Sequence, residues 1–302
     1  MAVNAIRTGM TVPDSNPNVS GFAAKLDALE RLGLDMVELP FYSLDLLVGL
    51  QRDALRCRRL LEACRDRPFG FTAHLPLSIN FFAEGERAAW HFDVFRAALD
   101  LAAEAGAEHA VIHTGMRKKG AAGSDADAYK RQRAMLARAG DEAKARGCYV
   151  CVENLFGWDG YETALAGALA DELRAIDHPN VRATLDFSHA LLRCAQQPGA
   201  DFITEIARLA PFARHCHVHD SFGRPDNGMY FYRLSEAVAF GAGDLHLAIG
   251  RGALPWDAAL AACVLPPQTI FNIELDDRYF DDEAGDCIAA ARALAAKARI
   301  RG

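Results

Sequence analysis

The sequence predicts a single α/β domain, residues 1–302, folded as a closed (β/α)₈ TIM barrel. Two observations predict this fold. Short apolar segments recur at intervals of roughly 30 to 40 residues, and each is followed by a helical pattern, as βα units require. No linker interrupts the 302 residues, a length that is ordinary for such a barrel. A doubly wound sheet fits less well, because it usually has fewer strands and often a glycine-rich phosphate-binding turn.

The elements follow in the order that eight βα units demand. The predicted strands are residues 6–12, 36–41, 71–77, 109–115, 149–154, 181–187, 215–220 and 270–275. The predicted helices, amphipathic or rich in alanine, include residues 44–67, 86–108, 126–146, 161–176, 201–209, 256–264 and 284–300. Gly33, Gly70, Gly106 and Gly147 each stand between a helix and the next strand, a position typical of αβ connections.

Composition excludes several classes of protein. The formal net charge of −7 argues against nonspecific binding to nucleic acid or to anionic membranes. No run of apolar residues is long enough to span a membrane, and the amino terminus lacks a secretory signal pattern. The eight cysteines, including the Cys148-x-x-Cys151 pair, are therefore interpreted as reduced core residues of a cytoplasmic protein.

Polar side chains stand where six of the predicted strands end. The residues are His74, His113, Glu153, Asn154, Asp186, His189, His215, His217, His219, Asp220 and Glu274. In a closed barrel the carboxyl ends of the strands converge, so these groups should meet at one end of the barrel axis. Carboxylates and imidazoles packed together without lysine or arginine would repel one another or stay unsatisfied. Divalent cations resolve this conflict, so the pattern predicts a metal cluster.

With these residues the chain resembles the xylose isomerase-like TIM-barrel superfamily, which includes sugar isomerases, epimerases and endonuclease IV. The resemblance covers nearly the whole chain. Members of the epimerase type hold one metal ion, usually manganese, with residues that match Glu153, Asp186, His217 and Glu274. His217 is selected over its neighbours because the family places an acid three positions later, here Asp220, which could orient the ligand. His215 and His219 are then expected to line the site or support it.

The resemblance to endonuclease IV extends to further motifs. His74 to Asn80 is similar to a His-x-x-x-x-Ile-Asn motif, and His113-Thr114-Gly115 to a His-Pro-Gly motif. Asp244-Leu245-His246 stands before Ile249-Gly250-Arg251-Gly252, as in that family. The resemblance implies two or three divalent ions, zinc or manganese. Its nine ligand positions correspond to His74, His113, Glu153, Asp186, His189, His217, Asp244, His246 and Glu274.

The chain also departs from endonuclease IV. The Tyr-Leu pair that enters the DNA minor groove is replaced by Leu77-Ser78. No arginine-rich loop follows the second strand, where residues 41–44 are mostly apolar. These departures argue against nucleic acid as a partner and against abasic-site repair.

Three functions remain open at this stage. The first is a metal-dependent isomerase or epimerase of a small sugar or sugar phosphate, with Glu153 and Glu274 exchanging protons with the substrate. The second is a multinuclear zinc phosphoesterase of the endonuclease IV type without the DNA-penetrating residues. The third is a non-catalytic metal-binding protein. The identity of the substrate and the presence of a homo-oligomer are not decided by the sequence.

A long segment, residues 221–255, separates the seventh strand from the helix before the eighth. Loops of this length in compact domains are usually functional, so we expect a lid over the barrel mouth and name it the lid segment. Its Arg224 and Arg251, together with Trp158, are predicted to bind the substrate, which could be anionic.

Overall fold

The computed structural model describes residues 5–13, 15–121, 124–158 and 160–301. Eight parallel strands close into a barrel in which each strand pairs with its neighbours in the sequence and the last pairs with the first. The strands are β1 (Arg7–Thr11), β2 (Met36–Pro40), β3 (Gly70–His74), β4 (Ala107–His113), β5 (Tyr149–Glu153), β6 (Val181–Asp186), β7 (Ala213–Val218) and β8 (Ile270–Ile273). The predicted fold is therefore confirmed, with strand ends within a few residues of those expected.

Helices alternate with these strands and cover the outside of the barrel. In the described ranges they are α1 (Phe22–Arg31), α2 (Ala54–Cys64), α3 (Gly85–Glu104), α4 (Asp125–Ala145), α5 (Ala166–Ile176), α6 (Phe187–Ala195), α7 (Phe202–Leu209), α8 (Leu234–Phe240), α9 (Trp256–Ala262) and α10 (Phe280–Lys297). All eight cysteines are buried and free, in agreement with the prediction of core packing. None of the helices in these ranges has the length and apolar character that crossing a membrane would need.

The predicted helix at 44–67 is wrong in its first third. A short 3₁₀ turn and a two-stranded hairpin, Leu47–Val48 with Gln51–Arg52, occupy the segment before α2. The chain reverses at Gly49 and Leu50, which both have positive φ angles of 56° and 68°. Helix α2 begins only after Asp53, whose side chain accepts a hydrogen bond from the Arg56 amide at 2.8 Å, a typical N-cap.

Strand β6 runs directly into helix α6, a helix that the sequence pattern did not predict. Asp186 is the last residue of β6 and the N-cap of α6, because its Oδ1 accepts a hydrogen bond from the His189 amide at 2.7 Å. The capping places His189 in the first turn of the helix, directly above the strand end. One short segment therefore positions two of the predicted metal ligands.

The lid segment is folded rather than a simple loop. It contains α8, and an antiparallel bridge joins Asp220 to Leu247 at its base. Ala237, Leu245 and Leu247 form a small buried apolar cluster of their own, separate from the main core. The tip is open to water, since Tyr230 and Tyr232 are 80% and 79% exposed.

The Asp220 carboxylate holds the base of the lid segment, which corrects the expectation that it orients His217. This buried carboxylate accepts hydrogen bonds from the Gly250 amide (2.7 Å), the Leu254 amide (3.2 Å) and the Trp256 indole N–H (3.2 Å). The backbone passes so close that a Cβ atom at Gly252 would clash with the Asp220 carboxylate and the Ser221 carbonyl. Only glycine fits there.

We expect Asp220→Ala to lower the free energy of unfolding by on the order of 2 kcal/mol or more, because it leaves buried N–H donors without their charged acceptor. Urea unfolding would measure the loss, and limited proteolysis would show faster cleavage between residues 243 and 256. Asp226→Ala is the matched control, since that exposed carboxylate accepts a 3.3 Å hydrogen bond from the Gly228 amide and, within the described residues, no other. Equal stability and equal cleavage in the two variants would contradict the anchoring role.

Candidate metal centre

The nine residues predicted as ligands lie together at the carboxyl end of the barrel. Glu153, at the end of β5, is central to the group and is buried. Its Oε2 lies 3.0 Å from His74 Nε2 and 3.6 Å from His113 Nε2. Its Oε1 lies 3.1 Å from His217 Nδ1 and 3.0 Å from His189 Nδ1. One carboxylate thus faces imidazoles carried by β3, β4, β7 and α6.

His217 Nδ1 is the second point of convergence. It lies 3.1 Å from Glu153 Oε1, 3.3 Å from Glu274 Oε2 and 3.7 Å from Asp186 Oδ2. One ligand atom from each of these four residues lies within 4.8 Å of the others. The group therefore offers three carboxylates and one imidazole to a single ion, which is the set that the sequence resemblance implied.

A third group lies farther out, between α6 and the end of the lid segment. Asp244 Oδ2 lies 2.7 Å from His246 Nε2 and 3.1 Å from His189 Nε2. The ring of His219 stacks on the ring of His246, with centroids 4.1 Å apart and planes 4° apart. The nine predicted residues thus form three adjoining groups, and His219 joins the outermost.

The directions of the ring nitrogens fit metal ions. His74 Nδ1 lies 3.1 Å from the Leu75 carbonyl, and His246 Nδ1 lies 3.1 Å from the Glu274 carbonyl. A carbonyl only accepts, so each Nδ1 carries the hydrogen, and each Nε2 either donates a proton to the facing carboxylate or presents a lone pair to a cation beside it. A lone pair and a carboxylate oxygen attract only if a cation or a proton lies between them. Metal-ligating histidines typically donate their other ring N–H to a backbone carbonyl in this way.

The charges of the cluster point in the same direction. Within the described ranges, every ion pair of Glu38, Glu153, Asp186, Asp244 and Glu274 is formed with a histidine. Buried carboxylates repel one another unless positive charge is supplied. Protons on the imidazoles or divalent ions can supply it, and the ligand types suit zinc or manganese.

The pKa values of the clustered histidines and carboxylates are shifted by their proximity to one another. Burial opposes protonation of His74, His189, His217 and His246, but the surrounding carboxylates outweigh it. The pKa of each is raised, that of His246 to about 10. Burial alone would raise the pKa of Glu153 and Asp244, yet the neighbouring imidazoles hold both well below the usual range. His113 differs, because burial lowers its pKa to about 3.

Glu38 is a member of the cluster that sequence reasoning missed. This buried residue of β2 lies beneath the candidate ligand groups, with Oε1 3.4 Å from His217 Nε2 and Oε2 3.1 Å from His215 Nε2. Thr11 Oγ1 and Asn272 Nδ2 donate to Oε1 at 3.1 and 3.0 Å. A lone acid inside the apolar strand Met36–Pro40 was the signal that could have identified it.

A cavity of about 450 Å³ opens beside the cluster, a size suited to a small ligand. Glu274 and His246 form part of its wall, together with Tyr42, Leu234 of the lid segment and Arg278. Tyr42 also meets His74 edge-on, with ring centroids 5.2 Å apart. Tyr42 and Arg278 were not singled out in the sequence, because their positions depend on how the loops fold over the barrel.

The three residues predicted to bind substrate lie away from this cavity. Arg224 is exposed and donates to the Phe240 carbonyl at 3.2 Å, which braces the lid segment. Arg251 lies 3.5 Å from Glu283 Oε2 on α10, with its side chain 67% exposed. Trp158 lines a separate polar cavity of about 430 Å³ and packs on Phe156, which in turn contacts the ring of His189.

Solved structures of similar fold include one sugar epimerase and one protein described as epimerase-like. A D-tagatose 3-epimerase-like protein is 17% identical, with a TM-score of 0.70, and the match covers 97% of this chain and 99% of that one. D-psicose 3-epimerase, solved in the presence of D-fructose, is 15% identical with a TM-score of 0.66 and coverage of 96% and 99%. At such identities the likeness establishes the fold alone.

Another similar structure is a protein from Thermus thermophilus soaked with zinc chloride. It is 23% identical with a TM-score of 0.66, and the match covers 97% of this chain and all of the other. Comparison with curated proteins yields no significant match. The family model described as "Xylose isomerase-like TIM barrel" matches residues 26–296. The chain therefore belongs to the xylose isomerase-like TIM-barrel family.

Proposed function

We propose that the protein is a divalent-metal-dependent isomerase or epimerase of a small sugar or sugar-phosphate-like substrate. The observation that carries the proposal is the approach of Glu153 and Glu274 to one nitrogen, His217 Nδ1, at 3.1 and 3.3 Å, beside the cavity of about 450 Å³. Moving a proton between two faces or two atoms of a substrate requires a pair of groups that can take it and return it.

The metal ligands in this proposal are the nine residues grouped around Glu153, His217 and Asp244, and they would hold two or three ions. When bound, a divalent ion polarises vicinal substrate oxygens and so acidifies the adjacent C–H bond. Glu38 supports the site from beneath, because its carboxylate faces the nitrogen of His217 that points away from the other carboxylates. Such a partner orients a ligating imidazole.

The two glutamates differ in their access to substrate. Glu274 forms part of the cavity wall, so its carboxylate is the group that would take the proton from carbon. Glu153 is buried among His74, His189 and His217 and would return a proton at the same centre. Their separation fits a small substrate, since one oxygen of each lies within 4.8 Å of the other.

The neighbouring structures favour this assignment, because two of those described are sugar 3-epimerases or resemble one. The cavity also favours a small polyol over a polymer. Its arginine, Arg278, is held by Asp276 through hydrogen bonds of 2.8 and 3.2 Å. A phosphate on the substrate would therefore compete with an existing carboxylate partner.

A zinc phosphoesterase remains the second candidate. The observation that favours it is the outer group at Asp244, which adds a third ligand cluster to the two around Glu153. Clustered ions suit the displacement of a phosphoryl group. Hydrolysis would require the outer position to accept a substrate oxygen or water.

We expect the enzyme to exchange a carbon-bound hydrogen of its substrate for deuterium in deuterated water. A panel of ketoses and aldoses, followed by NMR with added zinc or manganese, would measure exchange. Glu274→Gln should lower the rate by about 10² to 10⁴, the usual size of general acid–base catalysis. Glu283→Gln is the matched control, because Glu283 contacts Arg251 on the outside of the barrel and should leave the rate unchanged.

One set of results would contradict the proposal of an isomerase or epimerase. Release of product from an activated aryl phosphate diester, with no hydrogen exchange on any sugar and with loss in Glu274→Gln, would assign the site to hydrolysis instead. Full activity of Glu274→Gln in both assays would remove Glu274 from the reaction.

Metal uptake should release protons in a pH-dependent way. Ligating imidazoles must be neutral, yet the surrounding carboxylates raise the pKa of His74, His189, His217 and His246, that of His246 to about 10, and so favour their protonated forms in the metal-free protein. The pKa values of Glu153, Asp186 and Asp244 are lowered by the neighbouring imidazoles, so these three carboxylates take up no proton near pH 7. We therefore expect protons to be released on metal uptake at pH 7, with a release that declines as the pH approaches about 10, where His246 loses its own proton.

Isothermal titration calorimetry with zinc, in buffers of different ionisation enthalpy, measures this release directly. Apparent affinity should rise with pH across the same range, because protons compete with metal for the imidazoles. Zinc binding with no proton release at pH 7 would contradict ligation by these histidines. Elemental analysis of the same samples should give two or three ions per chain.

A further inference from the structure

A second cavity adjoins the one beside the ligand cluster, and its walls are apolar. It has a volume of about 240 Å³ and is lined by residues of the segment 41–50, by Pro76 and by residues of α3. Within the described ranges ten residues form these walls, and none of them is charged. Leu44 and Leu101 are buried, whereas Tyr42 and Leu50 are 40% and 38% exposed. The apolar cavity therefore reaches the surface at Tyr42 and Leu50.

The hairpin that forms one wall of the apolar cavity is fixed to its surroundings. Arg52 donates two hydrogen bonds, of 2.6 and 2.8 Å, to the carboxylate of Glu104 on α3. A paired contact of this kind defines both distance and orientation. At the base of the hairpin the Asp53 amide donates to the Leu46 carbonyl at 2.9 Å. The hairpin and α3 are thus held in a defined arrangement with the cavity between them.

Leu50 has a backbone conformation that leucine rarely adopts. It is the second residue of the two-residue turn between Val48 and Gln51, and its φ of 68° follows the φ of 56° at Gly49. Such turns strongly prefer glycine or asparagine, because a bulky side chain is strained at positive φ. Strained residues cluster at ligand-binding sites, and the Leu50 side chain lines the apolar cavity. The strain occurs where a leucine completes the apolar wall.

Tyr42 connects the apolar cavity to the cavity of about 450 Å³ beside the ligand cluster. It lines both cavities, and its ring meets the ring of His74 edge-on with centroids 5.2 Å apart. Glu274 and His246 form part of the wall of the larger cavity. A molecule that extends from Glu274 past Tyr42 would therefore leave a polar wall and enter an apolar one.

We propose that the apolar cavity binds an apolar substituent, a phenyl ring or a short alkyl chain, carried by the polyol substrate of the neighbouring site. This inference rests on the proposed function, because it names the substrate class of the same site. An apolar cavity of about 150 Å³ is large enough to bind benzene, so 240 Å³ accommodates a phenyl group. Removing that group from water stabilises the complex, a gain that an unsubstituted sugar cannot obtain.

The apolar loop after β2 gains a role from this assignment. Residues 41–44 are mostly apolar, and three of them, Phe41, Tyr42 and Leu44, belong to the cavity wall. A phosphate group would lose its hydration there without a cationic partner in the described wall, which is unfavourable. The cavity therefore selects an uncharged hydrocarbon group at this end of the substrate.

The test compares ketohexoses with their 1-O-benzyl and 6-O-benzyl ethers in the deuterium-exchange assay. Leu50→Asn removes an apolar wall and should fold, because asparagine tolerates positive φ better than leucine. Val48→Asn is the matched control, since Val48 lies on the same hairpin, is 57% exposed and is not part of the cavity wall. Fluorine NMR titration with 4-fluorobenzyl alcohol measures occupation of the apolar cavity without any reaction.

We expect at least one benzyl ether to be exchanged with a kcat/KM about tenfold or more above that of its parent sugar, because the phenyl group is buried. Leu50→Asn should lower this ratio about threefold or more and weaken binding of 4-fluorobenzyl alcohol by a similar factor. Val48→Asn should keep the wild-type ratio and affinity. Exchange without preference for any benzyl ether, or with a preference that Leu50→Asn leaves unchanged, would overturn the proposal.

The alcohol titration separates this proposal from the proposed function. Binding that Leu50→Asn weakens, with no exchange on any sugar or ether, would support the apolar site and overturn the isomerase or epimerase. Exchange on parent sugars without binding of 4-fluorobenzyl alcohol would overturn the apolar site and leave the enzyme proposal standing. If Leu50→Asn does not fold, Ala98→Leu provides the test, because it adds volume to the cavity wall from α3 and should cause the same losses.

Discussion

The concentration of negative charge at one end of the barrel is the constraint on which the rest of this structure depends. Five carboxylates meet there, and in the described part of the chain their ionic partners are histidines alone. Removing such charges from water costs several kcal/mol each unless they are well paired. The arrangement is therefore stable only with positive charge between the groups, as protons or as metal ions, and each histidine is oriented accordingly.

The carboxylates and imidazoles lie in two layers at this end of the barrel. The upper layer is formed by strand ends and by the first turn of α6, which bring carboxylates and imidazoles into contact. Beneath it, Glu38 contacts both His215 and His217 and receives hydrogen bonds from Thr11 and Asn272. Carboxylates are thus paired with imidazoles both deeper in the barrel, at Glu38, and in the upper layer beside the cavity.

Strand positions and the clustered residues at strand ends could be predicted from the sequence because barrel geometry forces strand ends to converge. Asp244 and His246, in the lid segment, were predicted only through the resemblance to endonuclease IV. A histidine or acidic residue that ends an apolar segment can be placed at the carboxyl end of a barrel strand from the sequence alone. Features set by long-range contacts could not be predicted in this way. Asp220 was expected to orient His217, but its carboxylate binds amides some thirty residues later. The cavity positions of Tyr42 and Arg278 likewise follow from loop packing. The helix at 44–67 was overextended because its apolar pattern continues through a hairpin whose reversal depends on two positive φ angles.

Asp186 has a consequence for how variation at this site can be interpreted. One of its oxygens caps α6 by accepting from the His189 amide, and the other lies among the imidazoles of His217 and His219. The start of a helix and the composition of the cluster are thus encoded by a single side chain. Asparagine would preserve the cap and forfeit the charge, while glutamate would preserve the charge and displace the cap. A substitution at Asp186 therefore changes the charge of the cluster, the start of α6, or both at once.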